Sequence, residues 1–277
     1  MKSVIQLCLF FTAFCSIFTS CRSGATKENG TGVEPSFKVT RIDSTTKQVS
    51  QTLIYPVFTG ENADKLNAVV IDMYGEAKGV TAKTMREAFA NQNIFKLFAD
   101  DMKEGNLDKE MRESMEYSQD DSIFVCRNTP KLISLANQGY IFTGGAHGSG
   151  SITYRNANPA TGAIYVLADF FKPNATAELT KLGEKYFKEQ FLPQVEMKPT
   201  TPLTEENGFW FDSTPDTEAK DNLFYLSKNF VITDKGLAFC YEQYEVAPYA
   251  FGMPMFYIPF ADLKSFLKDE WAAEFIK

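Results

Sequence analysis

The sequence predicts an α+β fold, with antiparallel sheets and packed helices forming two intertwined halves of one compact unit. Three observations predict it. Segments with apolar residues at helical spacing alternate with runs of β-branched and aromatic residues at period two. The strand-like runs follow one another directly through short polar turns, the habit of antiparallel sheets. The chain's 277 residues are 44% hydrophobic and include 25 phenylalanines, enough to bury a sizeable core.

In chain order, residues 1–21 (MKSVIQLCLFFTAFCSIFTSC) read as an export leader: Lys2, an apolar run over 4–18, then small residues. Ser20 before Cys21 fits a bacterial lipoprotein signal, although Phe18 stands where leucine is usual. Lipid on the Cys21 thiol would then hold the mature chain at a membrane of the cell envelope. An ordinary signal cleaved nearby, or an uncleaved apolar N-terminus, is the alternative. Residues 22–36, polar and free of aromatics, read as a flexible tether.

The folded part divides into halves over 37–158 and 159–277. Two strands are expected over 36–58. Asn62 is then expected to cap a helix burying Leu66, Val69, Val70, Met73 and Tyr74, which Gly75 and Gly79 bound. A second helix is expected over 81–102, with Met85, Phe89, Phe95 and Phe98 inward and Gly105 stopping it. Three antiparallel strands follow over 114–126, 131–144 and 149–158, the pattern turning to period two from Met111. After a turn at 158–162 come a short strand over 163–167 and a helix over 175–191 burying Leu179, Leu182, Tyr186 and Phe187, which Pro193 ends. Three strands over 209–213, 222–234 and 236–246 precede a last helix after Pro259, with Leu263, Phe266, Leu267 and Trp271 on one face.

Charge and cysteine usage narrow the function classes. A net charge of −7 argues against nucleic acid as a partner, because phosphates need Lys and Arg. Cys126 and Cys240, both in strand-like runs, are open to two readings: a disulfide, or buried free thiols. No cysteine pair has metal-ligand spacing, so neither metal nor cofactor is expected.

Three places could carry chemistry. His147, the sole histidine, lies in the glycine-rich stretch FTGGAHGSGS. It is either a base with Ser149 or Ser151 nearby, or a partly buried imidazole bonded to a backbone carbonyl or to a carboxylate such as Glu245. Gly144 and Gly145 allow positive φ where one strand passes to the next. In YEVAPYAFGMP, Tyr244, Glu245 and Tyr249 set rings beside a carboxylate, a combination that suits sugars; alternatively Pro248, Gly252 and Pro254 shape a rigid loop. Trp210, between core-type Phe209 and Phe211, has an acidic stretch nearby (Asp216, Glu218, Asp221) that would suit a basic protein or be a solvated loop.

Several stretches together resemble a known family. LIYPVFTG with ADKLNAVVIDMY resembles the domain preceding the catalytic domain in PdaC-type peptidoglycan deacetylases. GGAHG, NPATGAIYVLADFF and GLAFCYEQYEVAPYAFGMPMFYIPFADLKSFL resemble the second half of that unit. The unit is similar to the extracytoplasmic, lysozyme-sensing part of RsiV-type anti-sigma factors. The resemblance spans roughly residues 37–270, PdaC-like in the first half and RsiV-like in the second. It implies a module without catalytic residues, since the deacetylase metal site needs an Asp and two histidines and this chain has one. In the place of the anti-sigma factors' cytoplasmic segment and spanning helix stand a leader and a tether.

The expectation is therefore a non-catalytic envelope lipoprotein that binds a cell-wall-related ligand, such as a peptidoglycan fragment, or a wall-degrading protein such as lysozyme. His147, Trp210, Tyr244, Glu245 and Tyr249 are its candidate ligand-binding residues. Two alternatives stand beside it: a glycan-acting enzyme using carboxylates and His147, and a structural subunit of an outer-membrane assembly.

Overall fold

The computed structural model describes residues 33–92, 94–104, 108–211 and 224–276. The leader with Cys21, residues 22–32 of the tether, Gly105, and Asp216, Glu218 and Asp221 lie outside them.

β1 (Ser36–Thr45) and β2 (Val49–Thr59) form an antiparallel hairpin. The chain then crosses over through α1 (Ala63–Ala77), α2 (Met85–Asn91), α3 (Ile94–Glu104) and α4 (Lys109–Ser114). β3 (Tyr117–Asn128) returns parallel to β2, Val49 opposite Tyr117. β4 (Ile133–Thr143) and β5 (Ser149–Ala157) add antiparallel neighbours, giving the order β1-β2-β3-β4-β5. The second half contains α5 (Leu167–Phe170), α6 (Thr176–Gln190), an antiparallel sheet of β6 (Phe230–Ile232), β7 (Gly236–Cys240) and β8 (Met255–Pro259), then α7 (Phe260–Leu263) and α8 (Asp269–Phe275). The fold is thus α+β, its sheets antiparallel except at the β2–β3 pair.

Four layers result, because each sheet is apolar on both faces. On one face of the large sheet Leu53, Ile123, Ile133 and Leu135 pack under Leu66, Val70, Met73 and Ala88 of the helices. On its other face Ala136, Ile152 and Tyr154 meet Val231, Ala238 and Cys240 of the small sheet. The small sheet's far face presents Leu237, Phe239, Phe256 and Ile258 to α6, whose fully buried Phe187 meets Phe211 edge-on at 5.3 Å. Alternation along β7 therefore serves two cores at once, odd residues outward to the helix and even residues inward to the large sheet.

Two asparagines join the sheets. Asn229 donates to the Ile152 carbonyl (2.6 Å) and accepts from the Tyr154 N–H (2.8 Å), filling the open edge of β5 like a strand residue. Asn156 reciprocates from β5, donating to the Phe230 carbonyl (2.9 Å) and accepting from the Ile232 N–H and the Ser134 hydroxyl. Buried Arg127, beside the β3 bulge, reaches the Thr233 carbonyl (3.0 Å) and stands over the Phe275 ring at 5.0 Å. It thus ties α8 to the large sheet. Cys240 is a buried free thiol in the cluster between the sheets, where burial pushes it up, and Cys126 packs against the same cluster.

Several expectations are corrected. Asn62 precedes α1 in a left-handed conformation (φ 58°) that turns its side chain from the helix amides; it accepts from Lys65 instead. The helix expected over 81–102 is two. Thr84 accepts from the Glu87 N–H and Glu87 from the Lys83 N–H, so this reciprocal cap starts α2 at Met85. Asp108 caps α4 through the Met111 N–H and postpones β3 to Tyr117. The strand expected over 163–167 shrinks to one bridge, Ala157 to Ile164, because Asp169 caps α5 at Val166. Phe209–Phe211 forms no strand: the Phe209 N–H turns back to the Thr204 carbonyl (2.9 Å), while the Trp210 N–H reaches the Val246 carbonyl (3.1 Å). Among the described residues of the run over 222–234 only Phe230–Ile232 is a strand, and β8 was not expected. The last helix is broken where Leu267 bridges Phe171 and the Lys268 N–H is drawn to the Phe170 carbonyl (3.0 Å).

Candidate functional site

Three segments converge beside the small sheet: the β4–β5 turn, Trp210, and the stretch from Gln243 to Tyr249. Gly144 (φ 80°) and Gly145 (φ 88°) take the left-handed conformations that let the β4–β5 turn close. Gly148 has a different reason. A Cβ there would lie 2.4 Å from the Tyr140 ring and 2.6 Å from the Ile141 carbonyl oxygen, so only glycine lets the turn lie this close to β4.

His147 is exposed, which corrects the expected partial burial, and its ring stacks on Tyr249 (centroids 4.3 Å apart, 27° between planes). Its Nδ1 is 3.2 Å from the Gly148 carbonyl oxygen, a contact that requires the proton on Nδ1. The Tyr249 hydroxyl donates to the same oxygen (2.8 Å). Between the two alternatives for the imidazole, the backbone carbonyl is its partner and not Glu245. The Ser149 hydroxyl donates to the Gln243 side-chain oxygen (2.8 Å), so the nearest serine faces an amide and not the imidazole.

Tyr244 adds a second ring, 5.8 Å from Tyr249. Its φ of 66° is left-handed, costly for a bulky side chain by about 1–3 kcal/mol, and its surroundings hold it there. The Trp210 ring N–H donates to the Tyr244 carbonyl (3.1 Å), and the Glu242 N–H donates to Glu245 Oε2 (2.8 Å). Tyr244 is 62% exposed, whereas Trp210 is half-buried and tied to this turn by its ring N–H. Glu245 Oε1 accepts from the Tyr225 hydroxyl (3.0 Å). Burial and then the Glu245 carboxylate push the Tyr225 phenol up.

All five residues singled out from the sequence thus lie in one contiguous group. Tyr225 and Gln243 were missed. The only signal for Tyr225 was its place after core-type Phe224 at period two; Gln243 gave none. Among the described residues no three or more His, Cys, Asp or Glu side chains are grouped to hold a metal. No helix among them is long and apolar enough to cross a membrane.

Two family models match in tandem: Deacetylase PdaC over residues 42–150 and Protein of unknown function (DUF3298) over 168–261. No curated protein matches. Among solved structures, a DUF3298 family member from Bacteroides fragilis aligns at 18% identity with a TM-score of 0.64, covering 90% of this chain and 99% of its own. A DUF3298 family protein from Pseudomonas aeruginosa aligns at 15% identity with a TM-score of 0.55, covering 85% and 96%. At these identities the likeness concerns the fold.

Proposed function

We propose a binding role, without catalysis, for this chain, which carries a PdaC/DUF3298-type module, an extracytoplasmic module of unknown function. The aromatic group around Tyr244 and Tyr249 is its contact surface, and a cell-wall-derived ligand or a wall-degrading protein such as lysozyme is what it engages. One observation carries the reading: rings and a carboxylate from four segments distant in sequence meet at the surface, tied to one another by hydrogen bonds and ring contacts. The leader ending at Cys21 adds an envelope site for this role, with lipid on that thiol as the anchor.

The test is calorimetric titration of the purified protein with soluble muropeptides and with lysozyme. Saturable binding of either, weakened at least tenfold by Tyr249→Ala, is the expected result. Absence of binding to both overturns the proposal. So does a hydrolytic activity that His147→Ala abolishes in a folded protein.

A further inference from the structure

The feature that most needs an explanation is Tyr244. A tyrosine in the left-handed region is uncommon, and this one does not earn its place through burial, because most of its side chain faces solvent. Nor is the turn loose. Trp210 holds the Tyr244 carbonyl, Glu245 holds the Glu242 N–H, and Tyr249 backs the ring while its own hydroxyl is fixed on the Gly148 carbonyl. The ring is therefore presented outward from a rigid, strained turn. Strain retained by its surroundings at an exposed position is the mark of a presenting residue rather than a packing one.

What flanks the ring decides the chemistry it fits. The adjacent carboxylate, Glu245, already accepts from two donors, the Tyr225 hydroxyl and the Glu242 N–H, so its charge is partly compensated without an incoming ammonium. Each of its oxygens keeps a second lone pair for a hydroxyl donor. On another side, the Gln243 side-chain oxygen is occupied by the Ser149 hydroxyl, which leaves the amide nitrogen as a donor. Tyr225, 38% exposed, adds a second ring beyond the carboxylate. Rings alternating with neutral or compensated hydrogen-bonding groups on an open face match a ligand with flat C–H faces and hydroxyl edges, which is a pyranose. A purely apolar ligand would leave the polar flanks unpaired, and a basic peptide would use the Glu242 and Glu245 carboxylates but leave the exposed ring faces uncovered.

We infer that Tyr244, backed by Tyr249 and His147, is a stacking platform for a pyranose ring of a glycan chain, with Glu245 accepting from its hydroxyls. The inference rests on the binding reading above and names the ligand class of that same surface.

The experiment titrates the purified full chain calorimetrically with two soluble β-1,4 tetrasaccharides, one of N-acetylglucosamine and one of glucose, with muropeptides and lysozyme alongside. The expected result is saturable tetrasaccharide binding that Tyr244→Ala and Tyr244→Gly each weaken at least tenfold. Tighter binding of the N-acetylated chain assigns the glycan to the cell wall; equal binding assigns the platform to pyranoses in general. Tyr244→Gly guards against misfolding, since glycine takes this φ without strain and is expected to keep or raise Tm. Affinity unchanged in both variants overturns the inference. If neither tetrasaccharide binds while lysozyme or a muropeptide does, and Tyr249→Ala weakens that binding, the pyranose assignment falls and the binding reading stands. If nothing binds, both fall.

Discussion

The glycine at 148 shows how one missing side chain builds the site. Its carbonyl receives the Tyr249 hydroxyl and the His147 Nδ1–H, and its bare Cα lies against Tyr140. Gly148→Ala must push the turn away from a ring and a backbone oxygen, so it is expected to cost about 1–3 kcal/mol and to weaken ligand binding with it. Gly145→Ala meets no neighbour within 4 Å but keeps a left-handed φ, so it should cost about 1 kcal/mol and leave binding near wild type. Thermal unfolding and titration of the two variants check this; equal behaviour of the pair would refute the packing account. At this scale the sequence was legible where residue type alone speaks: rings, a carboxylate and prolines in one stretch marked Tyr244, Glu245 and Tyr249. The part played by Tyr225 was not, because its bond to Glu245 joins residues whose relation exists only after the sheets have packed.

Among the elements, the two asparagine side chains matter more to the architecture than their number suggests. Asn156 is buried and satisfies two backbone groups of β6 besides the Ser134 hydroxyl. Asn156→Ala strands all three and is expected to cost about 3 kcal/mol, more than an ordinary surface bond, because the orphaned groups stay dry. Urea unfolding measures it, and a loss under about 1 kcal/mol would mean that water replaces the amide. Helices with a clean 3.6-residue stripe, such as α1 and α6, were readable from spacing. The splits between α2 and α3 and between α7 and α8 were not, and at the second a bridge to Phe171 decides the break. β8 was missed because Pro254 and Pro259 bracket it and its pairing partner, β7, supplies the order.

For the whole molecule, the packing of tyrosines predicts where alkali unfolds it. Burial, with Asp101 beside it, pushes Tyr117 up to about 12, and burial pushes Tyr257 up to about 12. Tyr74, Tyr154 and Tyr241 are pushed up as well, chiefly by burial. Each keeps its proton in the folded state at a pH where the unfolded chain, near its ordinary value of about 10, has lost it. Their contribution is therefore complete below about pH 10 and declines as pH rises towards 12. Tm is expected to be level up to about pH 9.5 and to fall steeply above it, with tyrosinate absorbance rising in the same transition. A Tm that stays level to pH 12 would contradict the burial of these rings. The fold class was legible in the sequence because patterning repeats over many residues; the layer order was not, because it depends on which apolar face meets which.

The stack of His147 on Tyr249 has a practical consequence. Since the chain contains one histidine, its imidazole protons give a single pair of resonances, and a tyrosine ring 4.3 Å away displaces them by its ring current. The molecule thus carries its own spectroscopic probe on the face in question. Any ligand that parts or tightens the two rings will move a signal that no other residue can imitate, without a label and without a substitution.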